Sequence, residues 1–162
     1  MKYLLDANIF IQSHRAHYGL DFVPAFWDWL DQEFLCSRLM SITAVRDELM
    51  AGEDDLAAWA AERPRLFEDM DLNSLVSLRA VAAWTMEADY TDPARRTFLD
   101  VADCSLVAFA HAHDLTVVTM ERSEPARRSK IKIPDACRAM QVECITPFTM
   151  LRSESARFVL RT

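Results

Sequence analysis

The sequence predicts an α/β fold with a mainly parallel central sheet. Three observations carry that prediction. Short apolar runs ("KYLL", "LMSI", "LTVVT", "MQVECI") alternate with longer stretches of helical periodicity, the order expected when helices cross between parallel strands. Glycine is scarce, at 2 residues, and proline modest, at 6, which argues against an all-β sandwich, a collagen-like sequence or a flexible-linker chain. The middle of the chain is rich in Ala and Leu, both strong helix formers.

Each element follows in order. "KYLL" reads as a short, fully buried strand, and "ANIFIQSHRAH" begins a helix. In "GLDFVPAFWDWLDQEF" Phe26, Trp27, Leu30 and Phe34 recur at helical spacing, with Pro24 at the helix start. An aromatic stripe of this kind fits core packing, with a partner-binding surface as the other reading. "LMSI" is the second strand. "TAVRDELMAG" is a helix with Thr43 as N-cap and Gly52 as its stop. "DDLAAWAAER" is a helix ended by Pro64, "NSLVSLRAVAAWTME" another, and "TDPARRTFLD" a short one starting at Pro93. Asp100 caps the next helix, which runs into the strand "LTVVT". "RSEPARRSKIKIPDAC" reads as a basic, proline-containing loop, "MQVECI" as the last strand and "PFTMLRSESARFVL" as a terminal helix.

Length bounds the organisation. With 162 residues, half of them hydrophobic, the chain suits one domain over 1–162 with a single core. The net charge of −7 makes it a poor general nucleic-acid coat, yet is compatible with nucleic acid where the excess acid surrounds a cation. Cys36, Cys104, Cys137 and Cys144 form no C-x-x-C pair and have no histidines at zinc spacing; they read as reduced thiols. No signal peptide and no apolar stretch of transmembrane length is seen. The expectation is a soluble cytoplasmic protein that does not engage membrane.

Four acids stand out. Asp6 follows "KYLL" directly, and Glu121 lies two residues past "VVT". Ligands of open α/β sheets bind outside the carboxyl ends of the strands, so parallel neighbours would bring both acids to one crevice. A turn acid is the simpler alternative for either alone. Glu48 shares a helix face with Ala44, flanked by Val45 and Leu49, so it tilts toward the core; an edge glutamate paired with Arg explains it equally well. Asp103 lies in a first helical turn, where the helix dipole favours acids, and also shares the stripe of Leu106 and Val107. Together the four offer oxygen donors only, which suits Mg²⁺ or Mn²⁺ rather than zinc or copper. Carboxylates around one or two such ions suit phosphoryl-ester hydrolysis.

The stretches "LLDANIFI", "TAVRDEL", "DCSLVAFAHAHDLTVVTME" and "KIKIPDAC" together resemble the PIN-domain ribonucleases, the superfamily that includes the VapC toxins. The likeness covers most of the chain. It is greatest to an uncharacterised bacterial PIN-like branch designated a domain of unknown function. The resemblance implies a three-layer α/β/α fold and Mg²⁺- or Mn²⁺-dependent hydrolysis of RNA. It implies Asp6, Glu48 and Asp103 as the core metal ligands. Glu121 takes the fourth acidic place, where an Asp is more usual; its longer side chain leaves both direct and water-mediated ligation open. Asn8 and Thr119 match polar positions that support the acids. Many relatives are toxins held by an antitoxin, and many form homodimers.

"RRSKIK" is the densest basic cluster. Arg127, Arg128, Lys130 and Lys132 are its candidates for phosphate contact, against a solvated loop that balances nearby acids. Arg95 and Arg96, and Arg152, Arg157 and Arg161 near the end, form looser groups. His14, His17, His111 and His113 show no catalytic arrangement, and Ser13, Ser105 and Ser123 lack the context of a nucleophile. Two other functions compete with an endoribonuclease. One is a non-catalytic PIN-like scaffold. The other is a Rossmann-like phosphatase with Asp6 as nucleophile, which would want a second acid where Asn8 stands.

Overall fold

A computed structural model describes residues 2–159. Five parallel strands form the central sheet in the order β3-β2-β1-β4-β5. These are β1 (Tyr3–Leu5), β2 (Leu39–Ile42), β3 (Phe67–Glu68), β4 (Thr116–Val118) and β5 (Cys144–Ile145). The helices are α1 (Ala7–Gln12), α2 (Pro24–Leu35), α3 (Thr43–Met50), α4 (Asp55–Ala61), α5 (Leu72–Glu87), α6 (Asp92–Asp100), α7 (Ala102–His113), α8 (Ile133–Ala139) and α9 (Pro147–Ser153). The architecture is the expected α/β fold with a parallel central sheet and helices packed around it.

β1 is central because all three of its side chains are buried. It pairs with β2 through Tyr3 and Leu4, and with β4 in the register Tyr3–Thr116, Leu4–Val117, Leu5–Val118. The chain then leaves the sheet: the Asp6 N–H donates to the Val118 carbonyl at 3.0 Å, and α1 starts one residue later. A π-helical turn, Ser13–His17, extends α1. The aromatic stripe is core. Phe26 and Trp27 are buried, and Trp27 packs edge-on to Trp59 with ring centres 5.0 Å apart. Phe10 lies 5.6 Å from the same Trp59 ring.

Several boundaries differ from the sequence reading. Thr43 is the first residue of α3 and caps nothing; its hydroxyl donates instead to Asp69 Oδ1 at 2.6 Å, tying the β2–α3 junction to the segment after β3. Past α3 the left-handed residue is Glu53, with φ 50°, not Gly52. Asp100 ends α6 and Val101 stands at the N-cap of α7, so Asp103 is the second residue of that helix. β3 was not expected, and α8 emerges from the stretch read as a basic loop. The last strand shrinks to Cys144–Ile145, and the terminal helix stops at Ser153, beyond which Ser155 is left-handed with φ 52°. Arg161 lies outside the described residues. No described helix is long and apolar enough to cross a membrane.

His111 and His113 both reach α5 although they sit two apart. His111 Nδ1 lies 2.9 Å from Ser77 Oγ, and His113 Nε2 lies 3.2 Å from Asp71 Oδ2, where α5 begins. They tie α7 to α5 at the amino end of the sheet. All four cysteines are free thiols.

Candidate functional site

Topology brings the acids to one edge. Asp6 follows β1 and Glu121 follows β4, and these strands are hydrogen-bonded neighbours, so both acids lie at the carboxyl edge of the sheet. Asp6 is buried, at 2% exposure. Its Oδ2 accepts the Thr119 hydroxyl at 2.8 Å and the Asn8 amide at 3.3 Å. Thr119 works in two directions, because its Oγ1 also accepts the Glu121 N–H at 3.0 Å. One hydroxyl thus couples the residue after β4 to the residue after β1.

The electrostatics follow from this packing. Burial raises the Asp6 carboxyl from 3.8 to about 6; the Thr119 and Asn8 bonds oppose the rise, and the charges of Glu121 and Glu48 add to it. Asp103, half-buried in the first turn of α7, rises to about 7, again through burial first and then the charges of Asp6, Glu121 and Glu48. Lys130 pulls it back. A first-turn acid ordinarily gains from the helix N-terminus; here desolvation and like charge win.

Glu48 differs from its expected setting. It does not tilt into the core but is exposed, as is Asp47, while Val45 and Leu49 fill the buried face of α3. Partial desolvation raises its carboxyl, and its charge still reaches Asp6 and Asp103. Glu48 therefore stands at the rim of the cluster.

Glu121 is already bonded at both oxygens. Oε2 accepts the Ile133 N–H at 2.9 Å, at the start of α8, and Oε1 lies 3.4 Å from Lys132 Nζ and 3.5 Å from Lys130 Nζ. Asp135 anchors the same loop. Its buried carboxylate accepts the Ser123 hydroxyl and, at 2.9 Å, the Glu124 N–H. Asp135 was not among the sequence candidates: it lies in the stretch read as a basic loop, and α8 begins there instead.

The basic cluster is internally neutralised to a large degree. Arg127 pairs with Glu124 at 3.2 Å and Arg128 with Asp89 at 3.0 Å. Lys132 bridges Glu121 and Glu124.

Oxygen donors that repel one another across a buried centre suit a hard divalent cation, which would favour their ionised forms. Asp6, Asp103 and Glu48 could hold such an ion. In the present arrangement no three His, Cys, Asp or Glu side chains among the described residues converge into a ligand group. Their common edge and mutual field, rather than a closed cage, characterise the site.

Residues 3–158 match the family model described as Domain of unknown function (DUF4411). The chain belongs to the DUF4411 family. That match takes in all four acids of this DUF4411 domain and the loop from Glu121 to α8. No curated protein matches the chain. Among solved structures, FitAcB from Neisseria gonorrhoeae is similar in fold, with a TM-score of 0.55 at 18% identity over 90% of this chain and 98% of that one.

Proposed function

We propose that this protein is a metal-dependent endoribonuclease, the toxin of a toxin–antitoxin pair, that hydrolyses RNA phosphodiester bonds with Mg²⁺ or Mn²⁺. The observation that carries the reading is the gathering of acids at the carboxyl edge of the paired strands β1 and β4, where the buried Asp6 carboxylate is held by the Thr119 hydroxyl and the Asn8 amide. Two carboxyls held at about 6 and about 7 by burial and by each other's neighbours form a centre that a cation would stabilise strongly. The likeness to PIN-domain ribonucleases and the FitAcB-like fold agree with it.

When bound, one or two such ions would activate water and neutralise charge on the attacked phosphate. Asp6 and Asp103, with Glu48 at the rim, would hold them. Thr119 and Asn8 orient the Asp6 carboxylate through the bonds they donate to Oδ2. Glu121, paired with two lysines and bonded by a backbone N–H, fixes the loop after β4, with its charge partly offset by the lysines. An antitoxin, and a second copy of the chain, are the partners the family likeness implies.

The test is cleavage of labelled RNA by the purified protein with Mn²⁺, Mg²⁺ or chelator, beside Asp6→Asn. Metal-dependent cleavage that leaves 5′-phosphate and 3′-hydroxyl ends and is lost in Asp6→Asn is expected. Cleavage that persists in chelator would overturn the mechanism. Absence of cleavage together with tight binding of a partner protein would favour the scaffold.

A further inference from the structure

The four expected phosphate contacts face a competing demand. Arg127, Arg128, Lys130 and Lys132 each sit within 3.5 Å of an acid of this chain. An RNA phosphate would have to displace those carboxylates, against the field of a cluster that repels it. Arg122 is different. It is exposed, follows Glu121 directly, and makes no ion pair or hydrogen bond among the described residues.

Its position is also different. Arg122 lines a cleft of about 370 Å³ that contains Thr119 and Glu121, the two residues coupled to Asp6, and is walled by Pro134 and Ile145. A cavity of about 540 Å³ lies at the opposite edge, beside Lys2, Thr116 and Glu143. A cleft of a few hundred Å³ accommodates a small organic group, here one nucleotide, with apolar walls for its sugar or base. The guanidinium presents a planar fork of donors suited to a phosphate.

We propose that Arg122 grips a backbone phosphate of single-stranded RNA in this cleft, which reaches the acidic edge through Thr119, the residue bonded to Asp6. The proposal rests on the endoribonuclease reading and assigns its substrate contact. It also explains how a chain of net charge −7 holds a polyanion: among the described residues Arg122 is an unpaired cation next to Glu121, while Arg127, Arg128, Lys130 and Lys132 are engaged in internal pairs.

The test is fluorescence anisotropy of a 5′-fluorescein oligouridylate of about 12 nucleotides on the full chain carrying Asp6→Asn, in Mg²⁺ at several KCl concentrations. Arg122→Ala should weaken binding about tenfold, the loss expected for one charge-assisted contact. It should also lower the slope of log affinity against log salt by about 0.7, the value for one single-strand phosphate. Arg122→Lys should recover part of the affinity, and Arg127→Ala and Arg128→Ala should cost less than Arg122→Ala. Circular dichroism checks that each variant is folded; Arg122 is exposed, so folding is expected to survive. If the parent binds RNA and Arg122→Ala matches it in affinity and slope, this assignment is wrong and the nuclease reading stands. If Arg127→Ala costs more than Arg122→Ala, the grip lies in the basic loop instead. If neither the wild type nor the Asp6→Asn parent binds RNA, the nuclease reading falls and takes the assignment with it.

Discussion

Asp6→Asn should make the metal-free protein more stable, although it removes a residue from the centre of the site. The Asp6 carboxyl rises from 3.8 to about 6 on folding. At about 1.4 kcal/mol per pH unit, that corresponds to about 3 kcal/mol of folding free energy lost at neutral pH. The folded state binds the proton more tightly than the unfolded chain. The stability of the metal-free wild type therefore falls as pH rises through the window from 3.8 to about 6, and Asp103 extends the fall to about 7. Below 3.8 both states hold the proton and the penalty vanishes.

Asparagine removes the charge and keeps the hydrogen bonds. Both bonds to Asp6 end on Oδ2, so a single amide oxygen in that place accepts both. Burying the amide nitrogen without a partner costs about 1 kcal/mol or more, leaving a net gain of about 2 kcal/mol, or about 4–8 °C in Tm for a domain of this size. Urea or thermal unfolding in chelator, at pH steps from 4.5 to 8, measures it. The gap should be near zero at the acid end and widest above pH 7. Saturating Mn²⁺ should reverse the order, stabilising the wild type but not the variant. A variant less stable than wild type at every pH in chelator would refute the argument, because the burial of Asp6 would then carry no electrostatic penalty.

Three further outcomes follow from the contacts of the loop after β4. Thr119→Val removes both the donor to Asp6 and the acceptor for the Glu121 N–H, and should cut metal affinity or cleavage by about 10–100-fold, read by Mn²⁺ titration and RNA cleavage. Glu121→Gln should retain more cleavage activity than Asp6→Asn, because Glu121 is bonded by Lys130, Lys132 and the Ile133 N–H; parallel RNA-cleavage rates decide it. Asp135→Ala unpins Ser123 and the Glu124 N–H and should destabilise by about 1–3 kcal/mol, read by denaturant unfolding, with proteolysis of the 122–130 segment accelerated.

What was legible in the sequence was the part with a period. Strands and helices alternate visibly, and the register of β1 against β4 places Asp6 and Glu121 as their positions after apolar runs suggest. β3 is two residues long, too short for any period to show. α8 starts at Ile133-Pro134 inside a stretch whose basic composition reads as a loop, and seven residues give barely two turns. Glu48 was misread because α3 has only eight residues: a helical wheel cannot say where a buried stripe of two residues, Val45 and Leu49, ends. Asp135 left no signal because its partners, Ser123 and Glu124, lie 12 and 11 residues away in sequence.

The glutamate at position 121 follows from the fold around it. Its two oxygens reach different groups: one meets the N–H at the start of α8, the other meets two ammonium groups. An aspartate, one methylene shorter, would give up reach toward α8 or toward the lysines. The consequence is a division between acids of the same edge. Glu121 is neutralised locally by Lys130 and Lys132, whereas Asp6 and Asp103 receive no comparable pairing and carry the upward shifts. A cation entering the site therefore gains most at Asp6 and Asp103. The lysines that make this so are engaged in doing it, so on the endoribonuclease proposal a substrate phosphate would have to find its counter-charge elsewhere on the same edge.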